Sequence, residues 1–497
     1  MSNVEESFSE ALMFHRTGIT SKAICYYEKV LEIDPSHEIS QHHLSILEFG
    51  LGNYEKALNL QNNLININPH KAGFYNNRGN TLLRLGDVQK AISDFNHAIE
   101  IDPHKAEFLV NRANALSCLD EFPEALFDLD KSIKVDVNLA IAYANRANVH
   151  SSSKHFHDAL IDIDHALELE PHNAQFHFNK GNILVSLHRH QEAVINYQIS
   201  CDIDSSFEIA HLKLAHLVIS LQSFPEAVRV LNKMLNHFPQ SLEYLILLGE
   251  VHAQLGNEEE AQVYFTQAKN LFPHNEEVDY YAAANLGLAA PSKSPPAYIK
   301  RLFDAYAHNF DKELQQHLRY ASPDHLKTQL VRHISKPIVT ALDLGCGTGL
   351  VAKSLRSCFE FIDGVDISSE MIKKSESTKL YRQLHLTDIH SFLLDNKECY
   401  DLVMCADTLA YIGKLDEVFQ GVSQILNIGG WFSFTVEATA LPTFQLKQSK
   451  RYGHSISYLQ HQAQQSQLDV VAIEGDVIRR ENSESIHGFN VLLRKNK

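Results

Sequence analysis

Residues Val339–Leu350, VTALDLGCGTGL, decide how the second half of the chain is read. An apolar run up to Leu344 predicts a buried strand. Glycines at alternate positions, Gly345, Gly347 and Gly349, then break it, and VAKSL (Val351–Leu355) resumes as a helix. Glycine lets a backbone turn through left-handed conformations and puts no side chain between the chain and a ligand. The stretch therefore predicts a ligand site where a strand ends.

Outward from it, strands are predicted over Ile338–Leu344, Phe359–Asp366, Arg382–Asp388, Tyr400–Cys405 and Trp431–Val436, alternating with helical segments. That alternation is the pattern of a doubly wound parallel sheet. Two more, Asp469–Arg480 and Gly488–Lys495, are separated by ENSESIH alone. No crossover helix fits there, so they form a hairpin and one runs antiparallel.

Three ligand classes compete for the turn. A triphosphate loop needs a lysine in register, and none follows. A dinucleotide fingerprint needs glycine where Leu350 stands. The series Asp343, Gly345, Gly347, Gly349 resembles the acidic-x-Gly-x-Gly-x-Gly turn of class I S-adenosylmethionine methyltransferases, and the resemblance covers about 297–497. It implies a Rossmann-like α/β fold with S-adenosyl-L-methionine lying over Gly345, Cys346, Gly347 and Gly349. It further implies that Asp366 accepts from the ribose hydroxyls, that Ile367 and Ile389 wall the adenine, and that Asp388 receives its amine. Asp343 would add a negative charge near the sulfonium. LNIGGWFSFTVE (Leu426–Glu437) resembles the Leu-x-Pro-Gly-Gly turn of these enzymes, with Ile428 where proline is commoner. FDAYAHNFDKEL (Phe303–Leu314) looks like their N-terminal cover, in which Tyr306 and Phe310, at i and i+4, close over the cofactor or else form an ordinary core face.

Methyl transfer requires no metal, and it requires a base only when the nucleophile arrives protonated. No Asn/Asp-Pro-Pro-aromatic sequence follows the fourth strand, which weakens an amino-methylating reading. The candidates for base or acceptor contact are Asp407 at the end of that strand, Tyr411, and Tyr452 and His454 in SKRYGHSISY, read as a loop after the fifth strand. Structural caps are the alternative for each. The 29 histidines lack partners at ligand spacing and read as helix surface, so no metal site is expected.

Before this domain the chain repeats. Eight blocks of 34 residues run from Val4 to Asn275, with alanine at the twentieth position of each, from Ala23 to Ala261. They resemble the tetratricopeptide (TPR) family, whose helix pairs stack into an all-α solenoid with a concave binding face. A capping helix and the linker PSKSPP are expected over 276–296. Four successive blocks carry asparagine at positions six and nine: Asn77/Asn80, Asn111/Asn114, Asn145/Asn148 and Asn179/Asn182. In the family these positions face the concave surface. An asparagine amide both donates to and accepts from a peptide bond, so the ladder suits an extended protein segment. It resembles the asparagine ladder of O-linked N-acetylglucosamine transferase, and capping between blocks is the alternative. Arg78, Arg112 and Arg146 come and go with Asp94, Asp128 and Asp162, which predicts an ion pair inside each block.

A formal charge of -17 argues against a general nucleic-acid binder. No run reaches the roughly 18–20 apolar residues of a membrane span, and the first residues do not read as a secretory signal. Seven scattered cysteines, none in CxxC spacing, read as reduced thiols in a cytoplasm. TPR blocks ahead of this domain and its YGHS segment resemble a bacterial group of TPR-containing methyltransferases. The expectation is a methyltransferase whose solenoid binds a protein or peptide. A small metabolite or lipid acceptor, with the repeats serving assembly, and a non-catalytic adaptor are the alternatives.

Overall fold

The computed structural model describes residues 3–307, 310, 322–481 and 484–496. They pack as two compact units, Met1–Val230 and Leu231–Lys497. The sequence period runs to 275, whereas packing divides the chain at 230.

The first unit is built of helix pairs at the 34-residue period: α1 (Asn3–Arg16) with α2 (Thr20–Ile33), α3 (Glu38–Gly50) with α4 (Tyr54–Ile67), α5 (Ala72–Arg84) with α6 (Val88–Ile101), and α7 (Ala106–Ser117) with α8 (Phe122–Val135). α9 (Ala140–Ser152) and α10 (Phe156–Leu169), then α11 (Ala174–Ser186) and α12 (His190–Ile203), continue the series to α13 (Glu208–Ser220) and α14 (Phe224–His237). Small residues let the paired helices touch. A methyl group on Gly79 would lie 2.6 Å from the Phe95 ring, and one on Gly181 would lie 2.4 Å from Tyr197. The repeated alanines Ala91, Ala125 and Ala159 are fully buried.

The expected ion pairs are present in all three blocks. Arg78 binds Asp94, Arg112 binds Asp128 and Arg146 binds Asp162, each through two parallel bonds of 2.6–2.8 Å. The first nitrogen of each guanidinium not so used reaches back one block, to Asn62, Asn96 and Asp130. These arginines hold blocks together and leave the asparagines beside them to other work.

In the second unit, α15 (Leu242–Gln254), α16 (Glu258–Leu271) and α17 (Glu276–Leu286) precede α18 (Pro296–Tyr306), and α19 (Ser322–His333) leads into the sheet. Its nine strands are β1 (Ile338–Leu344), β2 (Phe359–Asp366), β3 (Gln383–Leu386), β4 (Tyr400–Cys405), β5 (Leu426–Ala438), β6 (Phe444–Leu446), β7 (Tyr452–His454), β8 (Leu468–Glu481) and β9 (Glu484–Lys495). The order along the main path is β3-β2-β1-β4-β5-β7-β6. β1 through β5 are parallel, and β9 pairs antiparallel with both β5 and β8, the hairpin expected from the sequence.

Alternate strand residues feed two cores on opposite faces. Leu342, Leu344, Val403 and Cys405 join one, with α22 (Ile389–Asp395), α23 (Asp416–Ile425) and α24 (Ile456–Gln465). Ala341, Leu402 and Met404 join the other, with α19 and α20 (Leu350–Ser354). α21 (Ser369–Thr378) follows β2.

Two expectations need correction. The segment PSKSPP is no free linker: Gly413 N donates to Ser292 O (2.9 Å), Lys293 bridges Ile412, and Ser294 N donates to Tyr411 O (2.9 Å). Tyr452 and His454 lie in the short strand β7, between β5 and β6 in the sheet, so this stretch is strand and not the loop expected.

Candidate functional site

The glycine turn stands where β1 lies between β2 and β4, the point at which the strand order reverses and open α/β sheets gather ligands. Gly345, Gly347 and Gly349 all have positive φ, +77°, +54° and +87°. Gly345 N and Cys346 N donate to Val365 O at 2.8 and 3.0 Å, which ties the turn to β2. Among the described residues a methyl group on Gly347 would meet Phe310 alone, at 3.6 Å.

Two carboxylates stand at the ends of the neighbouring strands. Asp366 accepts from Gly347 N (2.8 Å) and Ser368 N (2.9 Å). Burial raises its pKa, against the pull of those amides. Asp388 caps α22 and accepts from His390 N, Ser391 N and the Ser391 hydroxyl. Burial opposes ionisation there too, but the Ser391 bonds hold its carboxyl below the usual range.

A cavity of about 1000 Å³ opens over the turn. Gly345, Cys346, Gly347, Asp366, Ile367, Asp388, Ile389, Tyr306, Phe310 and Asp407 all line it. α18 supplies one wall with Tyr298, Ile299, Leu302 and Phe303, and ends at Tyr306, which is half exposed. The rest of the predicted cover, residues 308–309 and 311–314, lies outside the described residues.

Four predicted residues do not line it. Gly349 begins α20 behind the turn. Asp343 is fully buried beneath the turn, where it accepts from the Tyr381 hydroxyl at 2.9 Å and its other oxygen has no partner. Burial pushes its pKa up to about 7, so it is no fixed negative charge facing the cavity. Tyr452 is buried and donates to Pro291 O (2.9 Å). His454 is buried with Nε2 3.0 Å from Gly413 O, and burial depresses its pKa to about 4. Both are struts of β7.

The far wall is a charge network that the sequence reading missed. Asp407, itself in a left-handed conformation (φ +58°), is ion-paired to Arg451 and to Arg479. Arg451 Nε and Arg479 Nη2 also bind Glu437 Oε1, at 2.6 and 2.8 Å, and Lys447 binds Glu437 Oε2 at 2.9 Å. Burial would raise the Glu437 pKa, but the three cations hold it at about 2. Arg451 Nη1 donates to the Tyr411 hydroxyl (2.7 Å), and its guanidinium lies over that ring. Arg451 lies in the β6–β7 turn and Arg479, 28 residues further on, lies in β8, so the sheet brings them together.

Comparison with known proteins agrees with this architecture. A family model described as a methyltransferase domain matches residues 342–432, and two tetratricopeptide-repeat models match 72–105 and 242–275. The chain holds tetratricopeptide repeats and a methyltransferase domain. The methyltransferase domain has curated relatives at low identity. A rat mitochondrial ubiquinone biosynthesis O-methyltransferase is 29% identical over 126 residues, 23% of this chain and 36% of the relative. A Bacillus cereus malonyl-[acyl-carrier protein] O-methyltransferase is 26% identical over 143 residues, 28% of this chain and 51% of the relative. A probable S-adenosylmethionine-dependent methyltransferase of Saccharomyces cerevisiae, CRG1, is 24% identical over 173 residues, 33% of this chain and 59% of the relative. The chain thus spans about a third of the first of these relatives and little more than half of the others. Methyltransferases of this class generally use S-adenosylmethionine. Among the described residues no helix is long and apolar enough to cross a membrane, and no group of three or more His, Cys, Asp or Glu side chains could hold a metal ion.

Proposed function

We propose that the chain is an S-adenosylmethionine-dependent methyltransferase whose TPR solenoid holds a protein or peptide, as substrate or scaffold. The observation that carries the reading is the left-handed glycine turn at the β1 switch point, facing a cavity flanked by Asp366 and Asp388. These residues fit an adenosylated cofactor. Gly347 leaves backbone open to it, and Asp366 has lone pairs left for two ribose hydroxyls after its two amide bonds. Asp388, which lines the cavity along with Ile367 and Ile389, suits the adenine amine. When bound, the cofactor supplies a methyl group activated on a sulfonium. The chain's own part is to align the acceptor and exclude water, for which the apolar wall of α18 is suited.

The asparagine ladder supports the partner half of the reading. Asn77, Asn80, Asn145 and Asn179 are half-buried on the first helices of their blocks, and Asn114 and Asn148 are exposed. Three of the eight are engaged internally: Asn111 donates to Asn76 (2.8 Å), Asn179 accepts from Gln175 (2.9 Å), and Asn182 accepts from Tyr197 (2.7 Å). Among the described residues only the Asn111 bond joins neighbouring blocks, which supports reading the series as a binding face. The free thiols Cys25, Cys118 and Cys399, all exposed, suit a reducing cytoplasm. A second reading, a small metabolite or lipid as acceptor, is favoured by the likeness to ubiquinone biosynthesis O-methyltransferases.

The test is titration calorimetry of the full chain with S-adenosylmethionine and S-adenosylhomocysteine, beside Asp366→Ala. Micromolar binding that is lost in the variant, with an unchanged melting temperature, supports the cofactor reading. Absence of binding by the wild type would leave the adaptor alternative.

A further inference from the structure

The helix that follows the last repeat block packs on two sides. On one, Val278 of α17 clusters with Leu245 of that block, and Ala282 clusters with its Phe265. On the other, Tyr280, Ala283 and Ala284 share a cluster with Tyr298, Leu446 and Tyr452. Tyr280 is fully buried, and its hydroxyl has two partners. It accepts from the Ser294 hydroxyl (2.8 Å) and donates to Lys450 O (2.5 Å). Ser294, in PSKSPP, and Lys450, in the β6–β7 turn, both line the cavity over the glycine turn.

From Ser294 the connections run on around the cavity. Its N–H donates to Tyr411 O (2.9 Å), and the Tyr411 hydroxyl accepts from Arg451 (2.7 Å), the residue after Lys450. Tyr280, Ser294, Tyr411 and the pair Lys450–Arg451 thus close a ring of hydrogen bonds. Ser294, Tyr411, Lys450 and Arg451 line the cavity, and Tyr280 closes the ring from the repeat side. The Lys450 side chain is held from that side too. Its ammonium binds Glu250 of α15 (2.6 Å) and lies 5.0 Å from the centre of the Tyr281 ring. Residues 291–295 belong to no helix or strand, so their position depends on the bonds that hold them. Loss of the Tyr280 hydroxyl would leave Ser294 Oγ and Lys450 O each without this partner.

We propose that Tyr280 is a positioning residue for the ligand cavity, and that it couples the helix capping the repeats to whatever the cavity binds. The proposal takes its ligand from the cofactor reading above. Tyr280 acts through Ser294 and Lys450, fixing the linker and the β6–β7 turn against each other. Coupling of this kind is reciprocal: what the ring contributes to ligand affinity, the ligand returns as protection of α17. The repeats are then more than a tether, because their capping helix keeps the cavity in shape.

The test uses the full chain with S-adenosylhomocysteine as the probe. Tyr280→Phe keeps the ring in its cluster and removes the hydroxyl alone. Affinity for the probe should fall at least tenfold, and Ser294→Ala should lower it as well. The double variant should bind within twofold of Tyr280→Phe, because the bond between the two is already gone. Fully additive losses overturn the proposal. Hydrogen exchange reads the walls directly. In the ligand-free chain, peptides holding Ser294 and Gly413–Lys414 should exchange at least tenfold faster in Tyr280→Phe, while those of α7 and α8 keep their rates. The probe should slow exchange in α17 of the wild type at least threefold, and should not do so in Tyr280→Phe. A variant that melts lower but keeps its affinity and its exchange rates at Ser294 makes Tyr280 a packing residue only, and the proposal falls. If the wild type does not bind the probe, the cofactor reading is struck, and the ligand-free exchange rates alone decide the role of Tyr280. Should Tyr280→Phe not fold, Ser294→Ala must show the weaker binding and the faster exchange at Gly413–Lys414 by itself, and unchanged values overturn the proposal.

Discussion

Gly345 and Thr408 face each other across the switch point so closely that a methyl group on the glycine would lie 2.2 Å from the threonine Oγ1. The threonine hydroxyl is held in place by a bond to Ala406 O (3.1 Å). Thr408 belongs to the loop that also carries Asp407 and Tyr411, so the glycine turn and that loop line the same cavity. Gly345→Ala must push that loop away and also hold alanine at φ +77°. Overpacking and left-handed strain together should cost about 2–4 kcal/mol. Thermal melting should show the loss, and Thr408→Ala in the same chain should recover part of it. Cofactor affinity should fall at least a hundredfold in the single variant. A melting temperature unchanged by Gly345→Ala would mean the loop is free to move, against the close packing described.

The ion pairs inside the repeats predict an asymmetry. Asp128 is 1% exposed at its side chain and Arg112 is 23% exposed. Arg112→Ala strands a buried carboxylate, which by analogy with broken buried pairs costs about 3–5 kcal/mol. Asp128→Ala leaves the guanidinium with Asn96 (2.7 Å) and with water, so the loss should be smaller. Urea unfolding of the full chain should rank the two variants in that order. Equal losses would mean the pair is no more than a surface contact.

What was legible in the sequence follows from how local each signal is. β1, β2 and β4 match their predicted bounds because each is an apolar run closed by a glycine turn or an aspartate. β5 begins five residues before the predicted Trp431, at Leu426: Gly429 and Gly430 read as a turn, but the register shift between Tyr400 and Leu402 absorbs them into the pairing. β6 and β7 are three residues each, too short to show alternation, so Tyr452 and His454 passed for a loop. The glycine turn, Asp366 and Asp388 are likewise local, each at or just after the end of its own strand. The charge network is not. Arg451, Arg479 and Glu437 meet only because β5 lies between β7 and β9, with β8 beyond, and no spacing along the chain announces it.

The asparagine ladder predicts a separation of functions. Replacing Asn111, Asn145 and Asn179 with alanine removes one side-chain bond between blocks and one within α11, and none at Asn145 among the described residues. Stability should fall by no more than about 3 kcal/mol, at about 0.5–1.5 kcal/mol for each of the two bonds lost. Cofactor affinity should stay put, while retention of a crosslinked partner should be lost. A partner held as firmly by the triple variant would place its binding elsewhere.

His454 predicts the pH dependence of stability. Burial depresses its folded pKa to about 4, whereas the unfolded value is near 6.5. A group that is harder to protonate when folded favours the fold where it is neutral. Its stabilising share is therefore full above the unfolded pKa and is lost as pH falls from about 6.5 to about 4, because the unfolded chain takes the proton first. A gap of about 2.5 units corresponds to roughly 3 kcal/mol across that window. Glu437, held at about 2, adds a second loss at lower pH, between about 4.5 and 2. The histidine share is isolated by comparing wild type with His454→Gln, whose amide can still donate to Gly413 O. The variant should be less stable at pH 7.5, and the two chains should converge as pH approaches 4. Parallel curves down to pH 4 would show that His454 takes its proton in the folded chain as readily as in the unfolded one, and that the packing around β7 does not exclude water from it.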